Sequence, residues 1–344
     1  MSKFWVTASA LSLLFFVALG PNRAQAGPAS NGLVIADFNG DGWDDILFRD
    51  TTDGFVGWWY LNGTNVGTAN PVIVDGFGVP DPGPGFTLLG AGYFNNDKDA
   101  DVLWLENATG NLIIWFMGDK MISSATNLGN PGAGLTVAGI GDIDHNGNSD
   151  IIFRQGAGAT ATVAAWLIEN GAVLSGTSIG TIDSNWVVTA LGNVDNAGGD
   201  DILFRNTTDG FVGWWTLDAS KSPVIQNGAG VPDPGADFTI KGFADVNQDK
   251  KADVIWKQIS TSDVVYWLMN SDLTIASAPN IGAGPAGFDV GGIGDIDGNG
   301  AADVLFRDSG TVATWLINNA AFLNGASVGS IPSQWVISNP NGGP

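Results

Sequence analysis

The residues best suited to chemistry lie between Asp37 and Asp45. Positions 1, 3, 5 and 9 of this stretch carry Asp37, Asn39, Asp41 and Asp45. Short oxygen-bearing side chains on alternate residues can converge on one point if the backbone turns sharply, and Gly42 at position 6 permits such a turn. Calcium prefers a set of oxygen ligands of this kind. The spacing therefore predicts a calcium-binding loop, with an ordinary hydrogen-bonded Asx turn as the alternative.

The same pattern occurs six times along the chain. The six acidic loops, named loop 1 to loop 6, are residues 37–45, 93–101, 142–150, 193–201, 245–253 and 295–303. An apolar run with an aromatic residue follows each loop, and then come a turn, a run around a tryptophan and a weaker fourth run. Four short strands per unit match one blade of a β-propeller. The sequence therefore predicts an all-β fold, a single β-propeller of six four-stranded blades, with seven blades as the alternative.

The blade boundaries follow from an aromatic or leucine residue that lies seven positions before loops 2 to 6. Within one domain of residues 27–344, we expect blades at residues 30–85, 86–134, 135–185, 186–237, 238–287 and 288–334. Residues 335–338 repeat the start of a first strand and then stop, whereas blade 1 lacks an opening aromatic residue. We therefore predict that this C-terminal strand pairs with blade 1, closes the ring and removes an exposed sheet edge. A vestigial seventh blade is the alternative.

Residues 1–26 have the features of a secretory signal peptide. Lys3 precedes an apolar segment of residues 4–19, and Ala24-Gln25-Ala26 forms a small-x-small cleavage site. A membrane anchor needs a longer apolar span. We expect cleavage near Ala26 and a secreted protein, either extracellular or periplasmic, with no membrane span.

Composition narrows the possible partners. The formal net charge of −22 argues against nucleic acid and anionic membrane surfaces, and favours bound cations. The hydrophobic fraction of 44% is sufficient for a core, so the acidity does not indicate disorder. The absence of cysteine excludes disulfides, so stability must come from packing and bound metal.

The repeated Asp-x-Asp-x-Asn-Gly-x-x-Asp pattern, preceded by Gly-Ile-Gly as at residues 292–294, resembles the FG-GAP/VCBS repeats. These form the calcium-binding blades of integrin α-subunit propellers and of bacterial secreted proteins. The resemblance implies calcium in the turn between the first two strands of each blade and a ligand on the opposite face. The Phe-Gly and Gly-Ala-Pro elements of the family are only loosely present, and integrin-type propellers have seven blades.

By this resemblance we assign the metal ligands residue by residue. They are Asp37, Asn39, Asp41, Trp43 (through its carbonyl), Asp45, Asn95, Asp97, Asp101, Asp142, Asp144, Asn146, Asp150, Asp195, Asp201, Asp245, Asn247, Asp249, Asp253, Asp295, Asp297, Asn299 and Asp303. Loop 2 has Tyr93 at position 1, and loop 4 has Asn193 and Ala197 at positions 1 and 5. Weak or absent metal is therefore expected in these two loops, with about four to six calcium ions in total.

The inventory of side chains argues against an enzyme. His145 is the single histidine and lies within loop 3, and the chain has no cysteine. Ser-His-Asp and Cys-His arrangements are therefore absent. A carbohydrate-active enzyme that uses an Asp pair remains the alternative, because aspartate is plentiful. The favoured function is a binding or adhesion module.

Candidate ligand-binding residues come from a larger, three-blade repeat. Val-Pro-Asp-Pro-Gly occurs at residues 79–83 and again at 231–235, and a second tryptophan precedes the third-strand tryptophan in the same two blades. Trp58, Asp81, Trp214 and Asp233 are therefore candidates for contacting a glycan or an extracellular protein. Rigid spacer loops in a purely structural scaffold are the alternative. Four arginines that follow the second-strand aromatic residue are expected to form structural salt bridges to an acidic loop, with substrate binding as the alternative; they are Arg49, Arg154, Arg205 and Arg307.

Overall fold

The computed structural model describes residues 34–50, 52, 55–62, 71–156, 158–220 and 222–336. All regular elements of this part of the chain are β-strands, 26 in number. It contains no helix that is long and apolar enough to cross a membrane. The predicted signal peptide and residues 337–338 of the predicted closing strand lie outside the described residues.

The strands form six antiparallel sheets, in which hydrogen-bonded neighbours follow chain order. Blade 1 contains β1 (Val34–Ala36), β2 (Asp45–Asp50), β3 (Phe55–Asn62) and β4 (Val72–Pro80). Blade 2 contains β5 (Phe86–Gly92), β6 (Asp101–Glu106), β7 (Asn111–Gly118) and β8 (Met121–Gly129). Blade 3 contains β9 (Leu135–Gly141), β10 (Asp150–Gln155), β11 (Thr160–Glu169) and β12 (Ala172–Asp183).

The second half of the chain repeats this arrangement. Blade 4 contains β13 (Trp186–Gly192), β14 (Asp201–Asn206), β15 (Val212–Leu217) and β16 (Ile225–Val231). Blade 5 contains β17 (Phe238–Ala244), β18 (Asp253–Gln258) and β19 (Asp263–Met269), with an outer strand in two pieces, β20 (Ile275–Ser277) and β21 (Asn280–Ala283). Blade 6 contains β22 (Asp289–Gly294), β23 (Asp303–Arg307), β24 (Thr311–Asn318) and β25 (Ala321–Ser330).

The six sheets form a closed ring. The first strand of each blade contacts the first strands of both neighbouring blades, and the contact of β22 with β1 completes the circle. The fourth strands lie at the outer edge, where β4 is largely exposed. The predicted six-bladed propeller is therefore confirmed.

Both ends of the described chain contribute to the inner strand of blade 1. The last strand, β26 (Trp335–Val336), pairs with Asp50 and Arg49 of β2, while β1 pairs with residues 45–47 of the same strand. In blade 4, the single strand β13 makes the equivalent pairs, with Trp186 opposite Asn206. The C-terminal strand thus occupies the place of the missing opening aromatic residue and closes the ring, as predicted.

The core lies between the blades. Each of the six clusters of buried apolar side chains combines residues from two adjacent blades, and the cluster between blades 6 and 1 includes Ile296, Phe48 and Trp335. In every blade the third-strand tryptophan packs against the second-strand aromatic residue, with ring centroids 4.6–5.3 Å apart. These tryptophans belong to the core between the blades.

The antiparallel strand order separates the connections onto two faces. Connections from the first to the second strand lie at one end of the sheets, and connections from the fourth strand to the next blade lie at the other. All six acidic loops therefore share one face, named the loop face. The segments that link β4 to β5 and β16 to β17 lie on the opposite face.

Candidate functional site

The carboxylate at position 1 organises most of the acidic loops. In loop 3, Asp142 accepts hydrogen bonds from the backbone N–H groups of Asn146 at 3.0 Å and Gly147 at 2.9 Å. Gly147 has a φ of 89°, a left-handed conformation that glycine adopts without strain. Asp37 in loop 1 and Asp245 in loop 5 accept the same pair of bonds. In these three loops the backbone thus wraps around the side chain at position 1.

Loops 2 and 4 differ from this geometry. In loop 4, the Asn193 amide replaces the acid, accepting from the N–H of Asn196 at 2.7 Å and donating to the carbonyl of Gly198 at 2.9 Å. In loop 2, positions 4 and 6 lack the positive φ values that the other five loops share. Tyr93 offers no carboxylate around which loop 2 could curl. The sequence singles out these same two loops, but their metal content stays a prediction.

The aspartate at position 9 is fully buried in all six loops. One of its carboxylate oxygens accepts the N–H of position 2 of the same loop at 2.8–3.3 Å. The other accepts an N–H near the end of the third strand at 2.6–3.0 Å. These residues are Asp45, Asp101, Asp150, Asp201, Asp253 and Asp303. Each ties its loop to the third strand, a role that sequence reasoning missed because the partner lies 14 to 18 residues away.

Loops 3 and 6 bring three carboxylates together. One oxygen each from Asp142, Asp144 and Asp150 lies within 4.8 Å of the others, and the corresponding residues of loop 6 are grouped in the same way. In loop 6, the Oδ1 atom of Asp295 is buried and has no hydrogen-bond partner. An oxygen-only donor set with a buried, unsatisfied oxygen fits a hard cation such as calcium. Loops 3 and 6 are therefore the strongest candidate metal centres.

Burial and the proximity of other carboxylates raise the pKa values of these carboxyl groups and so favour their protonated form. Desolvation, with smaller contributions from nearby loop carboxylates, raises the pKa of Asp45 and of Asp150 to about 9. Desolvation, followed by the charge of Asp200, raises the pKa of Asp142 to about 8. In loop 6, desolvation raises the pKa of Asp295 to about 7 and that of Asp303 well above its usual range. A nearby cation would reverse this tendency by stabilising the ionised form.

Loop 5 contains a competing charge. The ammonium of Lys251, at position 7, pairs with the carboxylate of Asp249, at position 5. The side-chain amide of Asn247 also donates to Asp249, at 3.2 Å. Two of the four predicted side-chain ligands of this loop therefore interact with each other and with a lysine.

Residues at position 8 join neighbouring loops and were not among the predicted site residues. The N–H of Asp200 in loop 4 donates to the carbonyl of Asp142 in loop 3 at 2.8 Å. The Asp200 carboxylate in turn accepts from the N–H of Asp142 at 2.9 Å. Asp44 in loop 1 makes the same two bonds with Asp295 in loop 6, at 2.9 and 2.8 Å. The three-blade repeat, which places aspartate at position 8 of loops 1 and 4 only, is the sequence signal for these residues.

The structure does not agree with the ligand-binding prediction on the opposite face. Trp58 and Trp214 are each only 1% exposed, within interblade core clusters, so neither indole presents a face to a ligand. Asp81 accepts from Arg49 Nε at 2.8 Å in a largely buried ion pair, and Asp233 accepts from Arg205 at 2.7 Å. These carboxylates anchor the two Val-Pro-Asp-Pro-Gly segments to the second strand. The tryptophans are buried because their side chains point between blades, which strand spacing alone does not reveal.

Cations on the second strands also bridge adjacent blades. In four blades the cation donates to the carbonyl of the aromatic residue that opens the next blade; these pairs are Arg49 to Phe86, Arg154 to Trp186, Lys257 to Phe288 and Arg307 to Trp335. The first three bonds measure 3.1–3.2 Å. Arg49 and Arg205 thus form salt bridges, but with the linking segments of the opposite face rather than with an acidic loop, whereas Arg154 and Arg307 donate to backbone carbonyls.

No protein-family model matches the sequence, and no curated protein matches it. Among solved structures, the chain is similar to the Photorhabdus luminescens Tc holotoxin pore, with a TM-score of 0.53, 14% identity, and coverage of 82% of this chain and 13% of that one. A chain of the Mitotic Checkpoint Complex gives a TM-score of 0.42 at 10% identity over 90% of this chain and 96% of that one. A rhamnogalacturonan lyase gives 0.29 at 12% identity over 83% and 60%. This chain spans a small fraction of the toxin chain's length, and at 14% identity the likeness to the toxin chain supports the propeller fold and nothing finer.

Proposed function

We propose that this protein is a secreted, calcium-binding β-propeller of the FG-GAP/VCBS type that serves as a binding or adhesion module. The observation that carries the calcium assignment is the convergence of three carboxylate oxygens within 4.8 Å in loop 3 and, independently, in loop 6. The position-1 aspartates of loops 1, 3 and 5, which each accept two backbone N–H groups of their own loop, add support. The proposal does not depend on any catalytic group.

Four side chains per loop would hold the ion in loops 3 and 6. They are Asp142, Asp144, Asn146 and Asp150 in loop 3, and Asp295, Asp297, Asn299 and Asp303 in loop 6. Bound calcium would supply the positive charge that compensates these converging carboxylates. The position-9 aspartates already accept two backbone hydrogen bonds each, so they hold the loop closed around the site before an ion arrives. Loops 1 and 5 also carry three aspartates, but their carboxylate oxygens are not grouped within 4.8 Å, and in loop 5 Lys251 competes for Asp249, so we expect weaker binding there.

Calorimetric titration of the mature chain with calcium tests the metal assignment. We expect at least two tight sites, because loops 3 and 6 are the loops of the described chain in which three carboxylate oxygens converge within 4.8 Å. Asp295→Asn should remove one of them, since it takes one charge from the converging oxygens. Asp183→Asn is the matched control, because this exposed carboxylate lies at the end of β12 on the opposite face. Absence of calcium binding by the wild-type chain would refute the proposal.

The opposite face is the better surface for a ligand. On the loop face, backbone hydrogen bonds between neighbouring loops already pair the position-8 N–H and position-1 carbonyl groups. On the opposite face, the two Val-Pro-Asp-Pro-Gly segments are held by Arg49 and Arg205, and each lies beside the start of a third strand. Phe55 begins β3 in blade 1 and Phe211 directly precedes β15 in blade 4, and each is 39% exposed. These two residues replace the buried tryptophans as candidate contacts for a glycan or an extracellular protein.

A glycan array tests this ligand assignment. We expect a signal from the wild-type chain that falls at least tenfold when Phe55 and Phe211 are both replaced by serine, because an exposed aromatic ring provides a stacking surface. Replacing Phe322, an exposed aromatic residue on the outer strand β25, is the control for loss of surface hydrophobicity. A glycan signal that the double variant retains would contradict the assignment. Turnover of a bound glycan would favour the alternative of a carbohydrate-active enzyme.

A further inference from the structure

The six acidic loops form one hydrogen-bonded ring rather than six separate turns. At every junction, the N–H of position 8 in one loop donates to the carbonyl of position 1 in the loop of the preceding blade, at 2.6–2.9 Å. The donors are Asp44, Ala100, Ser149, Asp200, Ala252 and Ala302, and their acceptors are Asp295, Asp37, Tyr93, Asp142, Asn193 and Asp245. The residue that begins each loop is therefore held by the following blade.

At three junctions the position-8 side chain adds a second bond. Asp200 accepts the N–H of Asp142 at 2.9 Å, Asp44 accepts that of Asp295 at 2.8 Å, and the Ser149 hydroxyl accepts that of Tyr93 at 2.9 Å. The two aspartates thus adjoin loops 3 and 6, the same loops in which three carboxylates converge. At the remaining junctions position 8 is alanine, and the backbone bond is just as short, at 2.6–2.7 Å. The carboxylate is therefore not needed to join two blades.

We infer that Asp200 and Asp44 are positioning residues that complete the cation-binding loops 3 and 6 from the following blade. The carboxylate of each aspartate accepts the N–H of the position-1 residue, and its backbone N–H donates to the carbonyl of that same residue. These two bonds fix the backbone that bears the first ligand and keep this ligand directed toward the other carboxylates. This inference rests on the proposed function, because it assigns a role toward the proposed calcium ion. Residues from two adjacent blades therefore build each of the two strongest candidate sites.

Loop 6 adds a contact that loop 3 lacks. The indole N–H of Trp43, at position 7 of loop 1, donates to the carbonyl of Asp297 at 2.8 Å. A Cβ at Gly298 would lie 2.2 Å from that indole nitrogen, so only glycine leaves room for Trp43 there. Blade 1 therefore forms hydrogen bonds with loop 6 at both its first and its third position. Because blades 6 and 1 meet where the ring closes, these contacts place loop 6 at the closing junction, whereas loop 3 lies at a junction within the chain.

The test compares Asp200→Ala, Asp200→Asn and the control Asp183→Asn in the mature chain. Alanine occurs naturally at this position in loops 2, 5 and 6, so Asp200→Ala should fold. Asparagine keeps an oxygen that accepts the N–H of Asp142. Binding is measured by calcium calorimetry and by tryptophan-sensitised terbium luminescence, neither of which depends on any other activity.

We expect Asp200→Ala to weaken one site by about tenfold or more, the usual effect of removing a group that orients a metal ligand. Asp200→Asn should stay within about threefold of wild type, because it restores the oriented hydrogen bond. Equal weakening by both variants would show that charge alone matters and would overturn the positioning role, as would unchanged binding by Asp200→Ala. Asp44→Ala provides the second case and should weaken a different site. Absence of calcium binding by the wild-type chain would instead refute the proposed function itself.

Discussion

Chelation of calcium is expected to lower the melting temperature of the mature chain at neutral pH by about 10 °C or more, and added calcium should restore it. Ions held at two sites at concentrations well above their dissociation constants would contribute several kcal/mol, and about 1 kcal/mol corresponds to a few degrees for a domain of this size. The physical reason is the convergence of acids in loops 3 and 6, whose mutual repulsion has no compensation without a cation. Thermal melts in calcium and in chelator measure the difference.

The same experiment across pH gives a sharper result. Asp45 and Asp150 have pKa values raised by burial to about 9 from an ordinary 3.8, so the metal-free folded state binds more protons than the unfolded state between these values. Stability without calcium should therefore be greatest at acidic pH and decrease as pH rises through about 9. Calcium needs the deprotonated carboxylates, so the gap between the two melting curves should widen with pH. A gap that is absent, or that narrows from pH 5 to pH 8, would contradict the metal assignment.

Removal of residues 334–344 is expected to lower the melting temperature by about 10 °C or to prevent folding. Trp335 packs in the cluster between blades 6 and 1 with Phe48 and Trp59, and losing a large aromatic side chain from a core costs about 3–5 kcal/mol. The deletion also removes the pairing of β26 with β2 and the carbonyl that accepts from Arg307. It leaves part of β2 as an open inner edge.

Two variants separate the contributions to closure. A chain that ends at Val336 keeps both paired residues and should melt near the full-length chain. Trp335→Ala keeps the strand pairing but loses the packing, so it should fall between the full-length chain and the deletion. An unchanged melting temperature for the deletion would show that β26 does not hold the ring together.

Repetition made the fold predictable. A spacing that recurs six times identifies the blade, and the copied start of a first strand at Trp335 identifies how the ring closes. The conformations within loops are also local, because the acceptor at position 1 and its N–H donors lie four or five residues apart. Tyr93 and Asn193 could therefore be recognised from the chain as departures, and both loops do differ in the structure.

The salt-bridge partners of Arg49 and Arg205 could not be predicted from the sequence. A recurring arginine after an aromatic residue indicates a repeated structural role, yet its acceptor depends on how two blades meet. The same holds for Trp58 and Trp214, whose burial depends on the sheet face that each neighbouring blade covers. Amphipathic patterning does not distinguish these faces, because a propeller strand is apolar on both sides.

The local spacing of acids thus identifies the loops, their likeness to calcium sites and the number of blades, since these features repeat within about 50 residues of chain. Which loops donate a position-1 N–H to a side chain of the following blade depended on contacts between blades. Asp44 and Asp295 are 251 residues apart in the chain and 2.8 Å apart at their hydrogen bond. Such a pair exists only because the ring closes, and ring closure is a property of the packed blades rather than of any one repeat.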